Sequence, residues 1–274
     1  MNVELKPISK EELISKLHEI EQIGWIENTT RLTNDGAIGN KLEDLLGIPE
    51  NNLPIPNAAE WELKTQRDNT MSLLTLFHME PSPRAFKIVS SVLLKKYGWS
   101  HKDAGKSYPL DEMSFRATLS TKGYTRGFSI RVDREDRKVS LVFDPSQVKQ
   151  QDYGWLDTIR RRVADVERLE IVPYWGFDDL FSKARGKLLN CFFVIAELKN
   201  EDEKQYIHYY KAYMLKNLLM EKFISAIENG EIYVDFDART GHNHGTEFRI
   251  NPRIIPALYE VSEIVLDAPV LAKN

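Results

Sequence analysis

Asn57-Ala58-Ala59-Glu60-Trp61-Glu62-Leu63-Lys64 sets a carboxylate and an ammonium two residues apart in a stretch that reads as a β-strand. Side chains alternate across a strand, so Glu62 and Lys64 project from one face while Trp61, Leu63 and the Thr65 methyl turn towards a core. Opposite charges on one strand face suit a metal site for phosphodiester hydrolysis. In that reading Glu62 and the carbonyl oxygen of Leu63 hold Mg²⁺ and Asn57 adds an oxygen from the preceding turn. Lys64 orients the attacking water and stabilises its hydroxide form. The bare tripeptide is far more common on a half-exposed strand with a surface ion pair, so the surrounding sequence has to decide.

Upstream, Ser9-x-x-Glu12 is a capping box ahead of Leu13, Ile14, Leu17 and Ile20, whose spacing predicts an amphipathic helix. Asn34-Asp35-Gly36 then supplies cap and turn chemistry for a second helix through Ile38, Leu42, Leu45 and Leu46, stopped by Gly47 ahead of Pro49. Downstream, QRDNT reads as a turn, MSLLTLFH as an apolar strand, and Pro81 to Pro83 as the opening of a helix with Phe86, Val89, Val92 and Leu93 inward. Between 112 and 144, FRATLST, GFSIRVD and KVSLVFD alternate like an antiparallel meander. CFFVIAEL reads as a central strand and QYIHYYKAYM as another; Leu215 to Ile227 reads as a helix, and EIYVDFDA as a strand leading into a loop, RTGHNHGTE. No repeat or low-complexity segment appears.

The 274 residues can bury an ample core. A single cysteine, Cys191, lies in the apolar run LLNCFFVIAEL, which excludes a disulfide framework and points to a buried thiol in a reducing cytoplasm. No run approaches the roughly 18 apolar residues of a membrane span, and no apolar signal core opens the chain. The net charge of −4 speaks against non-specific nucleic-acid binding. It does not exclude a locally basic groove, and Lys95-Lys96, Arg116, Arg126, Arg131 and Arg160-Arg161-Arg162 offer one, or simply solvated faces.

The Glu62-Leu63-Lys64 strand resembles the Glu-x-Lys half of the PD-(D/E)XK nuclease motif. Together with SKEELISKLHEI (9–20), NDGAIGNKLEDLLGIPENN, SLLTLFH (72–78), YWGFDDL (174–180), KAYML (211–215) and ENGEIYVDFDARTGHNHGTEFRI (228–250), it is similar to the MvaI/BcnI family of type II restriction endonucleases, the BcnI-like members most closely. The resemblance implies an α/β restriction-endonuclease-like core, a mixed central sheet flanked by helices, with an inserted antiparallel β recognition part. On this basis residues 1–274 form one such domain, its catalytic part at about 1–110 and 185–230 and its recognition part at about 111–184 and 231–260, with duplex DNA clamped between them. It further implies Mg²⁺, with Mn²⁺ able to substitute, a monomer that cuts one strand at a time, and a cognate DNA methyltransferase as genetic partner.

The family places a carboxylate a short turn before the Glu-x-Lys pair, and this chain has Asn57 there. An amide oxygen can coordinate Mg²⁺ but carries no charge, so another acid has to compensate. Glu60 is near in sequence, and Glu43 matches an acidic family position beside the metal. Arg67 falls near the scissile phosphate, or is a charge at an exposed strand end. His78 and His242 resemble the histidines that CCSGG-reading members place against the central base pair, which points to a CCNGG-like site.

The block His242-Asn243-His244-Gly245…Arg249 falls where the family contacts bases. His-x-His also fits zinc or plain surface histidines, but arginine suits guanine O6 and N7, histidine a guanine or cytosine edge, and glycine a loop that enters the major groove. The family arginine on the preceding strand is replaced by Asp237, and Arg239, two residues on, lies on the same strand face. Gly36-Ala37-Ile38-Gly39 either presents amides to a phosphate or only caps a helix. Rival readings are a MutH-like repair nickase, a sequence-specific DNA-binding protein whose cleavage has lapsed through Asn57, and a metal protein built on His242 and His244.

Overall fold

The computed structural model describes residues 8–29, 36–48, 60–68 and 70–272, which fall into two compact units. The first is drawn from Met1–Ser72, Ala184–Leu219 and Pro252–Asn274, the second from Leu73–Lys183 and Met220–Asn251. Residues 73–110 and 220–230, grouped with the catalytic part on sequence grounds, belong to the second unit.

The first unit is built on a five-stranded mixed sheet. Ile26–Glu27, Lys204–Leu218, Asn190–Glu201 and Glu62–Arg67 follow in that order, with Tyr259–Asp267 also paired to Lys204–Leu218. Glu62–Arg67 runs parallel to Asn190–Glu201, Glu62 opposite Cys191 and Lys64 opposite Phe193, while the other pairings are antiparallel. Cys191 to Val194 is buried on both faces, as its unbroken apolar run demands.

The helix Lys10–Ile23 starts where Ser9 Oγ accepts from the Glu12 N–H at 3.1 Å. The helix Ala37–Leu46 stops at Gly47, whose φ of 70° is the left-handed conformation that glycine adopts without strain. Leu13, Leu17, Ile20, Ile38, Leu42 and Leu46 of these helices share one core with Trp61, Leu63, Phe192, Val194 and Tyr209, so the inward half of the 61–64 pattern is as expected. Asn34, Asp35 and Pro49, read as cap and stop signals, lie outside the described residues. The helix expected from Leu215 begins only at Met220, because Leu215–Leu218 continue a strand against Cys191, Asn190 and Tyr259. Tyr259–Asp267 is a strand that the sequence pattern did not announce.

In the second unit Leu74–His78, His242–Ile250, Ile232–Arg239, Met113–Leu119 and Trp99–Ser100 form an antiparallel sheet in that order. Three expectations change here. MSLLTLFH shortens to Leu74–His78 and pairs with His242–Ile250 rather than with its sequence neighbour Glu62–Arg67. The meander divides: Met113–Leu119 joins this sheet, whereas Lys138–Phe143 pairs with Phe128–Asp133 on one side and Tyr174–Gly176 on the other. RTGHNHGTE is not a loop, since Gly241 at φ 72° closes a hairpin that sets Arg239 opposite His242. The helix after Pro83 is π-wound over Val89–Tyr97, with Val89, Val92 and Leu93 buried and Phe86 exposed.

Among the described residues no helix is long and apolar enough to cross a membrane.

His208 of the first unit has no exposed surface and neither ring nitrogen hydrogen-bonded; Glu21 Oε1 is 3.9 Å away, too far for one. Burial holds this imidazole below its usual value, against the pull of Glu21 and Glu197. The folded protein therefore keeps the ring neutral, whereas the unfolded chain takes up a proton near pH 6.5. Stability is full above that pH and declines below it, by at most about 1.4 kcal/mol per pH unit, until the folded ring titrates too. Urea unfolding across this range should show the acid-side decline, and His208→Leu should flatten it.

Candidate functional site

Glu62 is the most deeply buried carboxylate on the candidate catalytic strand, at 2 % exposure. Its Oε1 faces two ammonium groups, Lys64 Nζ at 3.1 Å and Lys187 Nζ at 3.6 Å. Its Oε2 is buried and has no hydrogen-bond partner. The half-exposed strand with a surface ion pair, the commoner setting for such a tripeptide, is thus not what stands here: Glu62 is buried and Lys187, far away in sequence, faces it. Lys187 stands in the last turn of the helix Phe177–Leu188, near the negative end of the helix dipole. The next residue, Leu188, is anchored through its carbonyl, which accepts from the Tyr259 hydroxyl at 2.9 Å.

Behind Glu62 stands Cys191, its thiol pushed up to about 12 by burial first and by the Glu62 charge second. Burial likewise raises the Tyr259 phenol well above its ordinary value. Neither group carries a charge at neutral pH. A buried carboxylate oxygen left without a donor suits a hard cation, and the fit to Mg²⁺ rests on it. Leu63, the carbonyl candidate, sits between Glu62 and Lys64 with its side chain in the core.

Gly39 of the helix Ala37–Leu46 passes close to the strand, where an added Cβ would lie 3.8 Å from Thr65 Oγ1. Glu43, half-buried and one turn further on, shares that helix face. Asn57 lies outside the described residues. Glu60 is exposed and precedes the strand. Arg67 ends the strand exposed and, with Asp68, Thr70 and Arg253, lines a small hollow of about 70 Å³.

The second unit gathers most of the remaining candidates on one polar sheet face. Thr118, Asp235, Arg249, Glu247 and His78 form a chain of contacts: Thr118 Oγ1 to Asp235 at 2.8 Å, Arg249 Nη1 to Asp235 at 2.7 Å, Arg249 Nε to Glu247 at 3.8 Å and His78 Nε2 to Glu247 at 2.9 Å. Thr75 Oγ1 also donates to Glu247 at 2.8 Å. The His78 contact, with Thr75 and Arg249 adding to it against the effect of burial, holds the Glu247 carboxyl below the usual carboxylate range.

Asp237 pairs twice with Arg116, at 2.7 and 2.9 Å, so a guanidinium from the neighbouring strand stands beside the acid. Arg239 is held by the buried carboxylate of Glu112 at 3.2 Å and lies over the Tyr108 ring. His242 and His244 touch each other, nitrogen to nitrogen, at 3.3 Å. Among the described residues no group of three or more His, Cys, Asp or Glu is placed to hold a metal ion, so these two have no third ligand there.

Glu80 and Lys187 were not singled out by the sequence. Glu80 Oε1 accepts from the Thr246 N–H at 2.9 Å, the Thr246 hydroxyl at 3.3 Å and the Asn243 amide at 3.4 Å, which ties the hairpin down. Gly245 between them has φ 101°, and an added Cβ would meet the His78 ring at 3.3 Å. Of the basic clusters, Lys95 and Arg162 line a cavity of about 850 Å³ together with Lys87, Arg239 and His242. Arg126 has a structural post instead, over Trp99 and Trp155 and paired with Asp152 at 2.9 Å.

A profile of the MvaI/BcnI restriction endonuclease family matches residues 14–259, a span that takes in the Glu62 strand, His78 and the 232–250 hairpin. The chain belongs to the MvaI/BcnI restriction endonuclease family. As an MvaI/BcnI protein it is a site-specific DNA endonuclease, and its mixed α/β architecture is the restriction-endonuclease-like fold expected. Among solved structures, restriction endonuclease MvaI in complex with its cognate DNA substrate is similar at 27 % identity and a TM-score of 0.73, covering 94 % of this chain and 99 % of that one. MvaI without DNA is similar at 25 % identity and a TM-score of 0.52, covering 96 % of this chain and all of the other. No curated protein sequence matches the chain.

Proposed function

We propose that this MvaI/BcnI endonuclease cuts double-stranded DNA at a short C/G-rich, CCNGG-like site, with Mg²⁺ or in its place Mn²⁺, as a monomer that nicks one strand at a time. The observation that carries the reading is the buried Glu62 carboxylate, with one oxygen against Lys64 and the other unpartnered. Glu62, the Leu63 carbonyl and Asn57 would hold the ion, with Glu43 as the compensating acid on the adjoining helix face. When bound, the ion supplies positive charge at the scissile phosphate. Lys64 orients the attacking water and stabilises its deprotonated form, and Arg67 binds a neighbouring phosphate oxygen.

For readout, the 232–250 hairpin lies within the antiparallel sheet of the second unit, and its turn end, with His242 and His244 exposed, carries candidate base-contacting groups. His78, Arg239, His242, His244 and Arg249 offer donors to guanine edges, and Asp235, which restrains Arg249, and Glu247, which restrains His78, can accept from cytosine N4. A buried single thiol accords with a reducing cytoplasm, where a cognate methyltransferase would shield host DNA.

A time course on supercoiled plasmid with one CCNGG site tests this reading. Open circles should accumulate before linear molecules in Mg²⁺ and in Mn²⁺, and none should form in EDTA. Direct linearisation without open circles would contradict sequential nicking, and plasmid intact in both metals would contradict the metal assignment.

A further inference from the structure

We propose that Lys187 is a transferable counter-ion: it occupies the Glu62 carboxylate in the DNA-free enzyme and passes to a phosphate oxygen of the DNA when substrate arrives. This rests on the reading of Glu62 as a metal ligand. The two lysines at Glu62 are not equivalent. Lys64 lies on the same strand and face as Glu62, is 16 % exposed, and stands at hydrogen-bond length, 3.1 Å. Lys187 comes from another element, is 26 % exposed, and stands at 3.6 Å, beyond a hydrogen bond and held by charge alone. Glu62 is also its only ion-pair partner among the described residues. Letting go of Glu62 therefore costs Lys187 no hydrogen bond.

Two ammonium groups on one carboxylate leave a local excess of positive charge, which disfavours a divalent cation at the same group. The excess sits on Oε1, while Oε2 is left without a partner. A DNA phosphate changes the balance, because it offers Lys187 a second anion at the moment Glu62 is needed by the ion. The lysine stem swings about an anchored base, since Leu188 is buried and its carbonyl is tied to Tyr259. The consequence is reciprocal coupling: DNA makes the metal site accessible, and the metal frees Lys187 for DNA. An enzyme so arranged does not load its metal fully until substrate is present.

Mn²⁺ binding to the DNA-free protein, read by electron paramagnetic resonance, tests this together with retention of a duplex carrying one CCNGG sequence in EDTA. Lys187→Met should bind Mn²⁺ about tenfold more tightly than the native protein. The same variant should hold the duplex more weakly in EDTA, with a salt slope smaller by about one. Lys187→Arg should stay near native in both, and Glu62→Gln should lose the Mn²⁺ site. Opposite signs for metal and DNA are what a purely structural lysine would not produce. Unchanged Mn²⁺ affinity in Lys187→Met, with Glu62→Gln losing the site, overturns the counter-ion role and leaves the metal reading standing. Tighter Mn²⁺ with an unchanged salt slope overturns the transfer to phosphate. Mn²⁺ retained in Glu62→Gln overturns both the proposal and the metal reading.

Discussion

Lys64→Met should slow single-turnover DNA cleavage by roughly 10²–10³-fold, the loss typical when one preorganised charge is removed from a reacting centre. The variant keeps an unbranched side chain of similar length and removes the ammonium group 3.1 Å from the Glu62 carboxylate. Stability should fall as well, since Glu62 keeps only Lys187 at 3.6 Å and no hydrogen bond, so cleavage is compared where urea unfolding shows the variant folded. DNA affinity should change only modestly, because Lys64 acts on the attacking water while other cations meet the phosphates. Lys64→Arg should not restore the rate, because a planar guanidinium cannot take the place of a compact ammonium beside a water. Rapid-quench cleavage of a saturated complex separates these effects: the rate constant should fall while duplex retention holds. A variant that cuts at the native rate would remove Lys64 from the chemistry.

Trp175→Ala should destabilise the second unit by about 4 kcal/mol, in the range of large-to-small changes at filled core sites. Trp175 is 1 % exposed, stands edge-on to Phe248 at 5.4 Å and tilts against Phe236 at 6.3 Å, so the two strands of the candidate reading hairpin rest on it. Its indole N–H also donates to the Met79 carbonyl at 2.9 Å. Met79 in turn donates its N–H to the Thr246 carbonyl at 2.8 Å, so the indole braces the backbone next to His78. Removing the ring opens a cavity and leaves a buried carbonyl unpaired. Urea unfolding should register the loss, and Trp175→Phe, which fills most of the cavity, should recover more than half of it. A loss under about 1 kcal/mol would mean that the hairpin does not depend on this support.

Local signals were read from the chain with success where the stabilising groups are near in sequence. Ser9 and Glu12 begin a helix because cap and partner are three residues apart. Trp61 and Leu63 face the core because strand alternation requires it. What failed was long-range. Glu62 is covered by Lys187 and backed by Cys191, more than a hundred residues away, so alternation gave its face and not its depth. RTGHNHGTE looked like a loop because its side chains are polar. In the fold its backbone is satisfied by pairing to Ile232–Arg239, and its residues from Thr246 on alternate inward and outward. Leu215-Lys216-Asn217-Leu218 fits helix or strand by its pattern, and only the pairing with Asn190, Cys191 and Tyr259 decides. Glu80 carries no motif; its role comes from three donors brought to it by residues 243–246.

Sequencing the DNA ends released from a random-sequence duplex library, by the native protein and by Lys64→Met in Mg²⁺, tests the central claim most directly. Fragments from the native protein should end in 5′-phosphates within CCNGG sequences, and the variant should release none above background. Ends scattered without CC and GG flanks, or equal cleavage by the variant, would contradict the assignment of Glu62 and Lys64 as the centre of a CCNGG-reading nuclease.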